Sequence, residues 1–184
     1  QQTFFIKLDN LTNSVREFVF SFLSSLDLNR AQKGVHMHTE DFYPEGTENL
    51  LISSVDAALA GQNTLLAAES LGYGGVIIGL VRYAASQIAE LFKLPDYTYP
   101  VFGIALGTPN QNHAVKPRLP YEAVVFAEEY LEQDCSTIQA YDRVQTEYAG
   151  ERAKGTWSQR LAAQFGQKPN QAIDQLFKEK KLEK

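Results

Sequence analysis

Two cations held apart by a single proline, Lys116 and Arg118 in the loop NQNHAVKPRLP, are the clearest chemical feature of this chain. Pro117 between them and Pro120 just behind stiffen the loop. Two fixed cations suit a phosphate better than two mobile ones, although a solvated basic turn has the same composition. Gly79 is the second feature, directly after the β-branched run Val76-Ile77-Ile78. A residue without a side chain there lets a flat ligand lie against bare main chain, whose amides donate to ring heteroatoms; a tight bend beside the next helix fits the same spacing. Gly72, Gly74 and Gly75 miss the G-x-G-x-x-G pattern, so no Rossmann nucleotide site is expected. His36, His38, Glu40 and Asp41 form an H-x-H followed by carboxylates, but no strand or helix pattern fixes them as metal ligands. A solvated loop lying over something is the preferred reading. Cys135 has no His or basic residue near it in sequence that would activate the thiol.

These groups need elements to position them. From Glu48 to Leu71 the chain is rich in Leu, Ile, Val and Ala, has no proline and is apolar on more than one face, which predicts one long buried helix. Thr47 is its expected N-cap, Glu48 suits the positive end of the dipole, and Gly72 supplies the stop. Small residues at Ala57, Ala60, Gly61, Ala67 and Ala68 permit close approach of another backbone. Asp56 and Asn63, seven apart, predict a polar seam within a helix pair. Val76 to Ile78 then reads as a short central strand.

Further strands are expected at Thr3 to Leu8, Glu17 to Ser24, Tyr99 to Leu106 and Tyr121 to Phe126, with turn chemistry from Asn10 to Ser14. Asp27 to Gly46 reads as polar and irregular. Helices are predicted from about Ala84 to Lys93, Thr137 to Ala149, Thr156 to Phe165 and Asn170 to Lys180, the last ones amphipathic through Trp157, Leu161, Phe165, Ile173, Leu176 and Phe177. Lys178 to Lys184 reads as a solvated charged tail, and the C-terminal arm as a segment able to wrap a partner subunit.

The 184 residues, 44% of them hydrophobic, suffice for one solid domain burying about 70% of its unfolded surface. A net charge of −5 argues against a general nucleic-acid partner. No run of eighteen apolar residues is free of polar breaks, so no membrane partner is expected. One cysteine cannot form an internal disulfide, which fits a reducing, cytoplasmic location. The sequence opens at Gln1 in a strand-like stretch, as a piece of a longer chain would.

Read together, AGQNTLLAAESLGYGGVIIGLVR, KLPDYTYPVFGIALGTPN, VKPRLP and the Thr156-Trp157 pair after a short basic loop resemble the oxygen-insensitive NADPH nitroreductase and flavin reductase family. The resemblance runs in order from about Phe18 to Lys180 and is dense between Val55 and Pro120. It implies an α+β fold: an α/β/α sandwich with a mixed, mainly antiparallel central sheet and a helical C-terminal arm, paired as an intertwined homodimer. It further implies bound FMN, NADPH as co-substrate, and hydride passed through the flavin to nitroaromatics, quinones or free flavin. On the same grounds Ile78, Gly79 and Leu80 match the main chain that borders the flavin ring, and Lys116 and Arg118 match the pair that reaches the cofactor. Arg82 matches an arginine at the mouth of the site; Arg152 and Lys168 match positions that grip the NADPH phosphate. Leu80 replaces a second glycine, Lys168 replaces an arginine before Pro169, and the family's N-terminal H-R-S-x-R helix, which holds the FMN phosphate, is not in this sequence. The expected domain is therefore residues 1–184 without that helix. The alternative is a non-catalytic dimeric binding or scaffold protein of the same fold.

Overall fold

The computed structural model describes residues 3–6, 18–110, 114–168 and 171–183. The expected Asn10 to Ser14 turn and Pro169 lie outside these. Two compact units are present, one formed by residues 1–112 and 170–184 and the other by 113–169.

The first unit is built on four strands, β1 (Thr3–Ile6), β2 (Phe18–Asp27), β3 (Gly74–Ile78) and β4 (Thr98–Gly107), in the order β1-β2-β4-β3. All three pairings are antiparallel. β4 is the buried strand, and its alternating side chains divide the core. Phe102, Ile104 and Leu106 cluster with Ala68, whereas Tyr99 clusters with Leu26, Ala85, Leu176 and Leu182. The sheet is thus covered by helices on both faces, as the sandwich expectation requires.

β3 corrects one expectation. It is the last strand in the order rather than a central one, and Val76 and Ile77 are 57% and 45% exposed. A β-branched run fits an edge strand as well as a central one, because propensity responds to whatever the neighbours supply. A second correction concerns Tyr121 to Phe126, expected as a strand: Tyr121–Ala123 is a 3-10 turn, and the residues after it join no ladder among the described residues. Strand-forming side chains without a partner edge stay irregular.

The long helix α2 (Thr47–Ser70) forms as predicted and ends at Leu71, with Gly72 at φ +84° and its amide donating to the Glu69 carbonyl at 3.0 Å. Its N-cap is Gly46, not Thr47, and makes no side-chain cap. Its buried positions, Ser53, Ala57, Gly61 and Ala68, form one stripe. A side chain at Gly61 would lie 2.6 Å from the Phe102 ring, so the glycine is what lets α2 sit on β4. The helix is not buried all round, however: Leu51, Leu59 and Leu66 stay more than half exposed, and Asp56 and Asn63 lie on that exposed side too, so they form no buried seam within the single chain. Among the described residues α2 is the one helix long and apolar enough to cross a membrane by length and composition, an 18-residue window of it having mean hydropathy 1.2.

The region read as irregular, Asp27 to Gly46, contains a helix, α1 (Asn29–Val35). None of its residues is buried, so no apolar period marked it. Asp27 holds its start through the Arg30 amide at 3.3 Å and guanidinium at 3.2 Å. Phe42 then packs edge-on against Tyr97 at 5.3 Å. Among the described residues no three His, Cys, Asp or Glu side chains gather as metal ligands would.

After β3 come a 3-10 turn (Gly79–Ala84) and α3 (Ala85–Leu91). The turn into β4 places two non-glycine residues, Lys93 and Tyr97, at positive φ. The C-terminal α6 (Gln171–Glu179) and the chain behind it hold that turn. Lys180 donates through Nζ to the Leu94 carbonyl, its own carbonyl accepts from the Tyr97 amide at 2.8 Å, and Lys181 pairs with Asp96. Leu182 is fully buried. The stretch expected as a solvated tail is therefore a latch on its own unit, because one leucine among the charges has a core site to fill.

In the second unit, α4 (Cys135–Ala149) begins at Asp134, whose carboxylate accepts from the Ser136 and Thr137 amides. A 3-10 turn (Gly150–Arg152) leads to α5 (Trp157–Phe165), capped by a reciprocal Thr156 and Gln159 box.

Candidate functional site

Each unit carries some of the residues singled out from the sequence. In the first, Ile78 is the last paired residue of β3, opposite Gly103, and Gly79 opens the 3-10 turn. That turn brings Arg82 back toward the sheet, where its Nη1 donates to the Val101 carbonyl at 2.8 Å. The guanidinium then lies against Gly79: a Cβ at that glycine would sit 3.1 Å from Nη2 and 3.3 Å from Nη1. In this chain the Arg82 guanidinium lies where bare main chain is expected beside Gly79. Leu80 points outward, 72% exposed. Beside this corner Tyr99 is buried, and its hydroxyl has no partner among the described residues. Burial pushes that hydroxyl above its ordinary value, and the Arg82 charge draws it partly back.

In the second unit Lys116 and Arg152 share a cavity of about 580 Å³, lined also by Arg160, Gln145, Tyr148 and Trp157. Three cations and no carboxylate line it, so its field favours an anion, and the two aromatic residues offer a flat apolar surface beside it. Arg152 reaches it from the turn after α4, with its guanidinium 5.9 Å from the centre of the Tyr148 ring. Arg160 reaches it from the first turn of α5. That turn is fixed three ways: by the capping box, by Trp157 packing edge-on against Tyr141 at 5.2 Å, and by Asp142, which accepts from both the amide and hydroxyl of Ser158.

Arg118 and Lys168 are exposed, do not line this cavity, and have no ion-pair partner among the described residues. Sequence reasoning did not single out Arg160. Its only signal was its place one helical turn beyond Trp157, on the same face. The α4 side chains Tyr141, Gln145 and Tyr148 were missed too. Tyr141 and Gln145 donate to the Pro117 carbonyl at 3.3 and 2.7 Å, and Tyr148 to the Ala114 carbonyl at 3.0 Å.

Asp142 gives this unit a pH dependence. The Ser158 hydroxyl first, then its amide, hold the carboxyl below its ordinary 3.8. A folded-state value below the unfolded one means stabilisation that is present above the ordinary carboxylate range and lost as pH falls through the depressed value. Asp142→Asn is expected to flatten the acid limb of the Trp157 thermal-unfolding midpoint below about pH 4. An acid limb of unchanged steepness would assign the loss to other carboxylates.

Comparison with known proteins identifies the family of the chain. A sequence model of the nitroreductase family matches residues 22–108, and one of the nitroreductase family C-terminal domain matches residues 116–184. An NADPH-flavin oxidoreductase of Vibrio harveyi is 43% identical over 129 residues, which are 68% of this chain and 54% of that protein. A Cr(VI) reductase of Pseudomonas sp. strain G-1 is 35% identical over 164 residues, 85% of this chain and 68% of the relative. The solved structure of the Vibrio harveyi NADPH:FMN oxidoreductase complexed with NAD+ superposes with a TM-score of 0.76 at 35% identity, covering 89% of this chain and 67% of that one. Several of the curated relatives are matched over only a little more than half their own length, 54% for the Vibrio harveyi protein.

Proposed function

Because the chain belongs to the nitroreductase family, we propose that it works as an FMN-dependent NADPH oxidoreductase, passing hydride through bound flavin to nitroaromatics, quinones or free flavin. The observation that carries this reading is the cavity lined by Lys116, Arg152 and Arg160 with no carboxylate. Such a donor set fits a phosphorylated, planar ligand, since fixed cations answer phosphate and the Trp157 and Tyr148 rings face a flat one. When bound, FMN supplies the two-electron carrier that no side chain of the protein provides.

The chain's own residues then bind, orient and polarise. Of the residues that the family resemblance singles out, Lys116 and Arg118 would hold FMN, and the peptide from Ile78 through Gly79 to Leu80 would border its ring. Arg152 and Lys168 would take the phosphate of NADPH, with Arg160 beside Arg152 in the cavity. Arg82 stands at the mouth of the site. No acid–base side chain is required, because these residues supply position and field.

A homodimer is part of the proposal. It is supported by the apolar face of α2, where Leu51, Ile52, Val55, Leu59 and Leu66 stay exposed in one chain and a second copy would cover them. The cytoplasmic assignment rests on the single cysteine.

A second reading, the non-catalytic dimeric protein, is favoured by one observation: the Arg82 guanidinium already lies on Gly79. Its release costs the hydrogen bond to Val101, and Arg82 is exposed enough to turn into solvent. Titration with FMN separates the two. The enzyme reading expects bound-flavin absorption bands that bleach with NADPH under anaerobic conditions; a protein that stays colourless in excess FMN would leave the non-catalytic reading standing.

A further inference from the structure

Lys116 sits between two anchored carbonyls. On its N-terminal side the Ala114 carbonyl accepts from the Tyr148 hydroxyl at 3.0 Å; on its C-terminal side the Pro117 carbonyl accepts from Gln145 Nε2 at 2.7 Å and from the Tyr141 hydroxyl at 3.3 Å. Gln145 Nε2 also donates to the Tyr141 oxygen at 2.9 Å, which closes a triangle of hydrogen bonds on one carbonyl. The three donors stand at 141, 145 and 148, one face of α4. Gln145 and Tyr141 are 6% and 8% exposed.

A buried amide on a helix face that would otherwise take a leucine needs a partner, and here the partner is the loop's main chain. Proline explains the choice of acceptor. Pro117 has no amide hydrogen, so its carbonyl is its one main-chain hydrogen-bonding group, and fixing it transmits the position of α4 to both neighbours. We propose that Gln145, assisted by Tyr141, is a positioning residue for Lys116: it lines the same cavity, but its Nε2 is engaged by the Pro117 carbonyl and the Tyr141 oxygen, so it acts by setting the cation where the cofactor meets it. The proposal rests on the reading that Lys116 holds FMN, while its structural half, the pinning of the loop, stands independently of it.

The test uses the whole chain and the variants Gln145→Met, which keeps length and loses the donor, Lys116→Ala, and the two together. Hydrogen–deuterium exchange of the amides from Val115 to Leu119 reads the loop without flavin. Gln145→Met is expected to speed that exchange and leave the urea midpoint of Trp157 emission close to wild type. In FMN titrations Gln145→Met is expected to weaken binding about 10-fold when Lys116 is present and less than about twofold in the Lys116→Ala background. Unchanged exchange would overturn the pinning. Faster exchange with equal weakening in both backgrounds would overturn the action through Lys116 and leave a merely structural role. A wild-type protein that binds no FMN would instead sink the flavin reading together with the role assigned to Lys116, and the exchange would still decide whether Gln145 holds the loop.

Discussion

Replacing Lys116 and Arg118 together by alanine is expected to weaken FMN binding by about 2 to 4 kcal/mol, roughly 30- to 700-fold in the dissociation constant. The size follows from charge and rigidity together. A hydrogen bond to a charged group is worth more than a neutral one, and a cation already held in place loses little freedom when the ligand arrives. Pro117 and the α4 donors hold the main chain that carries Lys116, which lines the cavity with Arg152 and Arg160. Neither cation has an ion-pair partner among the described residues, so neither must break one to take a phosphate. Flavin fluorescence quenching measures the constant directly. An unchanged value would return both residues to a solvated basic turn.

The second large effect is on stability. Leu182→Ala is expected to destabilise the first unit by about 2 to 5 kcal/mol, the range for removing a buried leucine and leaving a cavity. Leu182 is completely buried with Leu26, Ala85, Tyr99 and Leu176, and these join β2, α3, β4 and α6. The loss also reaches the turn before β4. Lys93 and Tyr97 hold left-handed conformations that cost of order 1 kcal/mol each or more. The bonds from Lys180 and Lys181 to Leu94 and Asp96 help to retain them. Urea unfolding followed by far-ultraviolet circular dichroism checks the figure, and a change below about 0.5 kcal/mol would make the segment the charged tail that its composition suggests.

Much of the architecture could be read before any coordinates. The stop of α2 at Gly72 and the approximate spans of α4 and α5 follow from the apolar periods and helix breakers, because these act over a few residues, whereas the caps at Gly46 and Asp134 were not foreseen. β4 was equally plain, a continuous apolar run that only burial on both faces could satisfy. α1 escaped because it buries nothing, and Tyr121 to Phe126 misled because strand-forming side chains say nothing about whether an edge is available to pair with.

The site divides in the same way. The sequence alone determined the chemical kinds: a proline-spaced pair of cations, an arginine before Trp157, and a glycine closing a β-branched strand. What those groups meet was decided only in three dimensions. Arg82 lies on Gly79 because the 3-10 turn carries it to Val101, nineteen residues away; Pro117 is held by residues twenty-four and twenty-eight positions further on. Arg160 joins Lys116 and Arg152 only because α5 is seated against α4 through Asp142 and Tyr141. Local pattern fixes which way a side chain leaves its own element, whereas its partner depends on how distant elements pack, and that information is spread over all the residues that fill the space between them.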